Sequence, residues 1–169
     1  MAAIVFQIDD FNLTSSWTVS RITTLDEWGN DQNDLAWSTP TTAAKTITVD
    51  TSLIPDNAKI TGVTFTGKTN GRGQSYATAN GVTKNITNAF EVDAKNWFPS
   101  VPDSLQIKFT YQSFIIYEDP YLSRGTHSTV SAFKDLEIIV NYEVEESGGD
   151  SGGGVEININ IPGGECFLC

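Results

Sequence analysis

Two stretches of strict alternation constrain this chain more than anything else in it. Leu105, Ile107, Phe109 and Tyr111 alternate with Gln106, Lys108, Thr110 and Gln112, and Leu136, Ile138, Val140, Tyr142 and Val144 alternate with Glu137, Ile139, Asn141 and Glu143. Successive side chains of a strand point to opposite faces, so a period of two gives each segment one apolar and one mainly polar face. Such strands are half-buried and belong to packed antiparallel sheets, because a parallel strand covered on both sides reads as a continuous apolar run. Ile47 and Val49 around Thr48, and Val63 and Phe65 around Thr64, repeat the pattern on a shorter scale. Further strands are expected near residues 3–8, 16–23 and 82–92. Asn70-Gly71 and Asn80-Gly81 offer the positive φ that tight hairpin turns require, and Pro99 and Pro102 fall between strand candidates, where a missing N–H breaks no ladder. With no amphipathic helix longer than a turn or two, the expected fold is all-β: an antiparallel β-sandwich of about eight strands.

The 169 residues suit one domain plus a tail, and 39% apolar against 18% charged residues is a globular balance. The formal net charge of −11 argues against nucleic acid, whose affinity rests on Lys and Arg releasing counterions. Charge is uneven, acidic at both ends and net positive over residues 35–90, which could orient copies as they meet, although solvated faces account for it as well. No run approaches the roughly 18 apolar residues of a membrane helix, and the N-terminus lacks the basic and apolar regions of a signal peptide. The expectation is a chain made and kept in the cytosol, with no membrane partner.

At Glu145 the composition changes. Residues 1–145 form the expected domain, 146–154 a Gly/Ser/acidic linker and 155–169 a C-terminal arm. In the arm Val155, Ile157, Ile159 and Ile161 alternate with polar residues, and Phe167 and Leu168 follow Pro162-Gly163-Gly164. A strand detached from its domain has unpaired backbone groups and an apolar face, so it must pair with something. The expectation is a flexible assembly arm that adds a strand to a neighbouring subunit, against folding back or disorder. Cys166 and Cys169 have metal-ligand spacing but supply only half of a structural zinc site. An intersubunit link and free thiols are the other uses open to them.

Site motifs are sparse. His127 has no local nucleophile or orienting carboxylate beside it, and neither a Gly-x-Ser-x-Gly elbow nor a phosphate-cradling loop occurs. The expectation is no catalytic residue, no enzyme and no cofactor. Asp26, Asp31 and Asp34 crowd oxygen ligands into a short acidic loop, weak candidates for Ca²⁺, whose spacing matches no EF-hand; a solvated turn is the ordinary use of such a loop. Trp17, Trp28, Trp37 and Trp97, with Tyr76 and Tyr121, are either core anchors or sugar-stacking rings. Trp28 and Trp37 flank the acidic loop and are the glycan candidates. Asp9-Asp10 and Glu118-Asp119 could serve glycoside hydrolysis only if two carboxyls stood at the right separation, and neighbours on a strand face opposite ways.

Leu53-Ile54-Pro55-Asp56-Asn57-Ala58-Lys59-Ile60-Thr61-Gly62-Val63-Thr64-Phe65 resembles the I-P-x-x-A-x-I-x-x-V-x-F opening of jelly-roll modules in bacteriophage tail and capsid-appended proteins. Ser104-Leu105-Gln106-Ile107-Lys108-Phe109 is similar to their L-x-V-x-F strand, and Phe133 to Glu143 to their closing strand. The resemblance spans residues 44–145. It implies a jelly-roll-like sandwich acting as a non-enzymatic virion structural protein, either a capsid decoration or head-fibre protein or a tail or baseplate component. Its partners would be copies of itself and other virion proteins, and its place the virion, after synthesis in the bacterial cytoplasm. The alternative expectation is an appendage that binds a host-surface glycan or receptor.

Overall fold

The computed structural model describes residues 1–99, 103–115, 124–145 and 156–161; the side chains at 22, 33–35, 156–157 and 160–161 lie outside that description. Eleven strands run through the described residues: β1 (Ala2–Ile8), β2 (Phe11–Leu25), β3 (Asp31–Trp37), β4 (Thr42–Asp50), β5 (Ala58–Thr69), β6 (Gly73–Ala79), β7 (Val82–Asn85), β8 (Ala89–Asp93), β9 (Ser104–Ser113), β10 (Gly125–Val144) and β11 (Glu156–Ile161). One short 3₁₀ turn, Lys95–Trp97, precedes β9. A seven-stranded sheet has the order β11-β1-β10-β2-β3, with β5 on the other side of β10 and β8 beyond it; a four-stranded sheet has the order β4-β9-β6-β7. The all-β sandwich expected from the alternation is the fold observed, and every pairing is antiparallel except that of β1 with β11.

The core follows the alternation. Leu105, Ile107, Phe109 and Tyr111 of β9 and Leu136, Ile138, Val140 and Tyr142 of β10 are all buried. Phe109 meets Phe11 at 5.1 Å and Phe133 at 5.9 Å between ring centroids, while Phe11 and Phe133 stack at 4.8 Å. Phe65 extends the cluster to Trp97, whose Nε1 donates to the Val82 carbonyl at 3.0 Å. At one end polar groups join the sheets: Ser15 Oγ donates to the Thr41 carbonyl at 2.7 Å and accepts the Ser113 N–H at 3.0 Å. The buried Ser15 hydroxyl thus has both a donor and an acceptor partner, as burial demands.

β1 and β2 form one long strand alongside β10, with Ile8 opposite Leu136 and Phe11 opposite Phe133. Between these pairs both strands carry an extra residue. On one, the buried positions step from Ile8 to Phe11; on the other, from Phe133 to Leu136. Asp135 sits at φ +54, and the pairing of β10 with β5 shifts between Lys134 and Glu137. This is a β-bulge, which restores the apolar side chains to the core after a break in phase.

The two Asn-Gly pairs differ from each other in kind. Asn80 (φ 47) and Gly81 (φ 75) make the predicted tight hairpin between β6 and β7. Asn70-Gly71 instead carries the chain from one sheet to the other, and Gly71 is not among the positive-φ residues. A Cβ on Gly71 would stand 2.5 Å from Ser131 Cβ and 2.7 Å from the Tyr111 ring, so glycine is needed there for close approach. At Pro55 the chain turns: the Ala58 N–H donates to the Pro55 carbonyl at 2.9 Å, and β5 begins at once.

Candidate functional site

Residues 156–161 of the C-terminal arm are not detached from the domain. β11 lies parallel to β1 on the sheet's edge, with Ala3 opposite Glu156, Ile4 opposite Ile157, Phe6 opposite Ile159 and Ile8 opposite Ile161. Within the single chain the arm thus folds back onto its parent sheet. Ile159 is half-buried against the core and Asn158 is exposed. The short crossing explains why this is easy. β10 ends beside the start of β1, so the connection need clear only one strand, about 10 Å at two inter-strand spacings. Val155, Cys166, Phe167, Leu168 and Cys169 lie outside the described residues.

The second candidate region is the ribbon formed by β2 and β3. β10 pairs with β2 as far as Val19, and from Ser20 to Leu25 the partner among the described residues is β3. The stretch 31–34, read as acidic loop from sequence, is therefore largely strand, and the turn is only residues 26–30. Asp26 builds that turn. Its Oδ1 accepts the N–H of Trp28 at 2.9 Å and of Asn30 at 2.7 Å, its own N–H donates to the Asn30 carbonyl, and Gly29 takes φ +80. These donors, that of Asn30 foremost, hold the Asp26 carboxyl below the usual aspartate value. At the tip Trp28 is 80% exposed.

The structure separates the two expected glycan contacts. Trp37 pairs with Val19 at the ribbon's base and Trp28 occupies its tip, so roughly 20 Å of ribbon lies between them. Trp17 and Trp97 are buried. The expected calcium ligands are no closer to a set: Asp26 is engaged by the turn, Asp31 is exposed on β3, and the Asp34 side chain lies outside the described residues. Among the described residues no three His, Cys, Asp or Glu side chains gather as metal ligands would.

His127 lies on β10 against Trp17, ring centroids 5.9 Å apart. Asp9 and Asp10 sit at the bulge, where Asp10 Oδ1 accepts the Asp135 N–H at 3.2 Å and Lys68 pairs with Asp135 at 3.2 Å. The Asp10 carboxylate thus serves the backbone's change of phase. Glu118, Asp119 and Tyr121 lie outside the described residues.

Sequence reasoning passed over the outer face of the four-stranded sheet. Its outward side chains are the polar half of the same alternation that revealed the core: Gln106, Lys108 and Thr110 on β9, Thr46 and Thr48 on β4, Tyr76 and Thr78 on β6. The signal was present in their type, since hydroxyl and amide groups outnumber charges. A shallow open depression of about 520 Å³ lies on this face, with Lys108 among the residues lining it.

No family model, curated protein or solved structure matches this chain.

Proposed function

We propose that this chain is a structural protein of a bacteriophage virion, a non-enzymatic module that works by assembling with copies of itself and with neighbouring virion proteins. The observation that carries the reading is the placement of β11. Its described pairing is with β1 alone, at a sheet edge, through backbone bonds that any copy of β1 offers equally. The Gly/Ser/acidic linker of residues 146–154 has a random-coil span of about 15–18 Å. That length allows the strand to close on its own sheet in a dilute chain and on a neighbour's when copies are held side by side, because the two states differ mainly in effective concentration. The resemblance over residues 44–145 supports a phage setting. The motif that opens on Ile54-Pro55 leads into β5, and the other two fall on β9 and β10, so they belong to the frame of the sandwich.

Disulfide trapping tests the reading. Cysteines at Ala3 and Glu156, opposite one another across the β1–β11 pair, would be introduced with Cys166→Ser and Cys169→Ser. Mild oxidation of concentrated protein should give covalently linked multimers. Intrachain bonds alone, in a chain that light scattering finds monomeric at every concentration, would sink the proposal.

A second reading, an appendage that recognises a host-surface glycan or receptor, draws on Trp28. A tryptophan this exposed on a turn fixed by three backbone bonds is preorganised for contact, which lowers the ordering cost of binding.

A further inference from the structure

The outer face of the four-stranded sheet gathers hydroxyl and amide side chains around a cation. One row across it reads Thr46, Lys108, Thr78 and Thr83, and the next reads Ala44, Thr110, Tyr76 and Asn85. The depression on this face is lined by Thr46, Thr78, Asn80, Ser104, Gln106 and Lys108 together with the small Ala79. In a protein of formal net charge −11, that lining holds one cation and no carboxylate. The nearest acid in register is Asp50, opposite Ser104, and its Oδ1 accepts the Ser52 N–H at 2.9 Å. Among the described residues Lys108 has no ion-pair partner, unlike Lys68.

We propose that this face is a binding cradle for an oligosaccharide that carries a carboxylate, a uronic-acid chain being the simplest case. Lys108 meets the carboxylate, and the hydroxyl of Thr46 and the amide of Gln106 donate to and accept from the sugar hydroxyls, joined by the capacity left on Thr78, whose hydroxyl bonds that of Thr83 at 2.8 Å, and on Asn80, whose side-chain amide donates to the Trp97 carbonyl. Each chemistry follows from the inventory of these side chains: Lys offers donors only, whereas Thr, Asn and Gln offer both donors and acceptors, as a polyol requires. Tyr76, half-buried in the adjoining row with its hydroxyl tethered to Gln74 Oε1 at 2.9 Å, supplies an apolar ring with a polar edge beside the depression. All of these residues except Asn80 stand on strands whose opposite faces are locked in the core, so the array is rigid before a ligand arrives. Other partners fit less well. A nucleic acid would need several cations along its backbone, and a protein interface of ordinary kind is centred on buried apolar or aromatic anchors that this row lacks. The cradle is independent of strand exchange by β11, which lies on the other sheet.

The test is an amide-resolved NMR titration of the full ¹⁵N-labelled chain with hexagalacturonate and, separately, with its methyl ester. The acid should shift the amides of Thr46, Thr78, Gln106 and Lys108 and bind about tenfold or more tightly than the ester, the gain from a charge-assisted hydrogen bond. Lys108→Met should erase that preference without changing the thermal midpoint, because the side chain is exposed. Thr78→Ala should weaken both ligands. The proposal is overturned by an absence of shifts with either sugar, by shifts centred on Trp28, or by a preference that survives in Lys108→Met. It is equally overturned if the same amides shift with protein concentration alone, the mark of a second copy seated on the face.

Discussion

The backbone N–H of Asp135 donates to Oδ1 of Asp10 at 3.2 Å, across the one place where two long neighbouring strands both lose their alternation. Each strand gains one residue there, and because both gain it at the same level the pairing resumes beyond it in the same register. The bond satisfies an N–H that the broken ladder between β1, β2 and β10 would otherwise strand.

Asp135 adopts a left-handed φ of +54, which costs a residue with a Cβ about 1–2 kcal/mol. Asp135→Gly should therefore be neutral or stabilising in urea unfolding. Asp135→Val should lower stability by more than about 1 kcal/mol, since β-branched residues fit this region worst. The Lys68–Asp135 ion pair contributes little to either result, because both side chains are more than two-thirds exposed.

Phe109 is fully buried among the rings of Phe11, Phe65 and Phe133. Truncation to alanine removes contacts with both sheets at once, and Phe109→Ala should cost about 3–5 kcal/mol. A denaturation midpoint equal to that of the parent chain would contradict the packing described.

Gly71→Ala should destabilise by about 1–3 kcal/mol, the usual cost of forcing a methyl into a filled space. The added Cβ meets Ser131 and Tyr111, so the strain falls where the chain crosses between sheets. Gly81→Ala is a useful contrast, because nothing stands near its Cβ and the loss there comes only from φ +75. Substituting Asn at each position separates the two causes: Gly81→Asn should be mild, Gly71→Asn severe.

The Asp26 carboxyl, lowered first by the Asn30 N–H and also by that of Trp28 and the Asn30 amide, gives the ribbon tip a pH dependence of known sign. A depressed carboxyl stabilises the folded turn above the ordinary aspartate value of 3.8, and that contribution is lost as pH falls through the lower folded value. Below about pH 3.8 the amides of Trp28 and Asn30 should move towards random-coil shifts before the sandwich unfolds. Asp26→Asn should show the weakened turn at neutral pH. Tip amides that stay fixed until global unfolding would refute this assignment.

Where the sequence kept a clean period, the structure could be read from it. β9 and the second half of β10 were legible because the buried residues are large and their neighbours polar. The first half of β10, Gly125 to Phe133, was hidden for two reasons: Thr126, Ser128 and Val130 do not contrast with their neighbours, and the bulge at Asp135 throws the buried positions out of phase with those that follow. β3 escaped because Asp31-Gln32-Asn33-Asp34 has the composition of a turn, and its strand pairing is imposed by β2. The pairing of Trp28 with Trp37 as neighbours was a linear inference, and a hairpin places residues far apart when one is at its tip. The sheet face around Lys108 was legible in pattern. Its residues lie far apart in the chain, on β4, β6 and β9, and only the pairing of those strands brings them onto one face.

The parallel run of β11 beside β1 also sets how that edge answers a mechanical load. A pull on β11 beyond Ile161, resisted at the start of β1, is directed along both strands, so the ladder from Ala3–Glu156 to Ile8–Ile161 is loaded in shear and its bonds share the force. An antiparallel arm pulled the same way would be peeled one bond at a time. If copies trade this strand, the joint between them is a lap joint, weak against slow exchange when isolated yet resistant to sudden tension along its length.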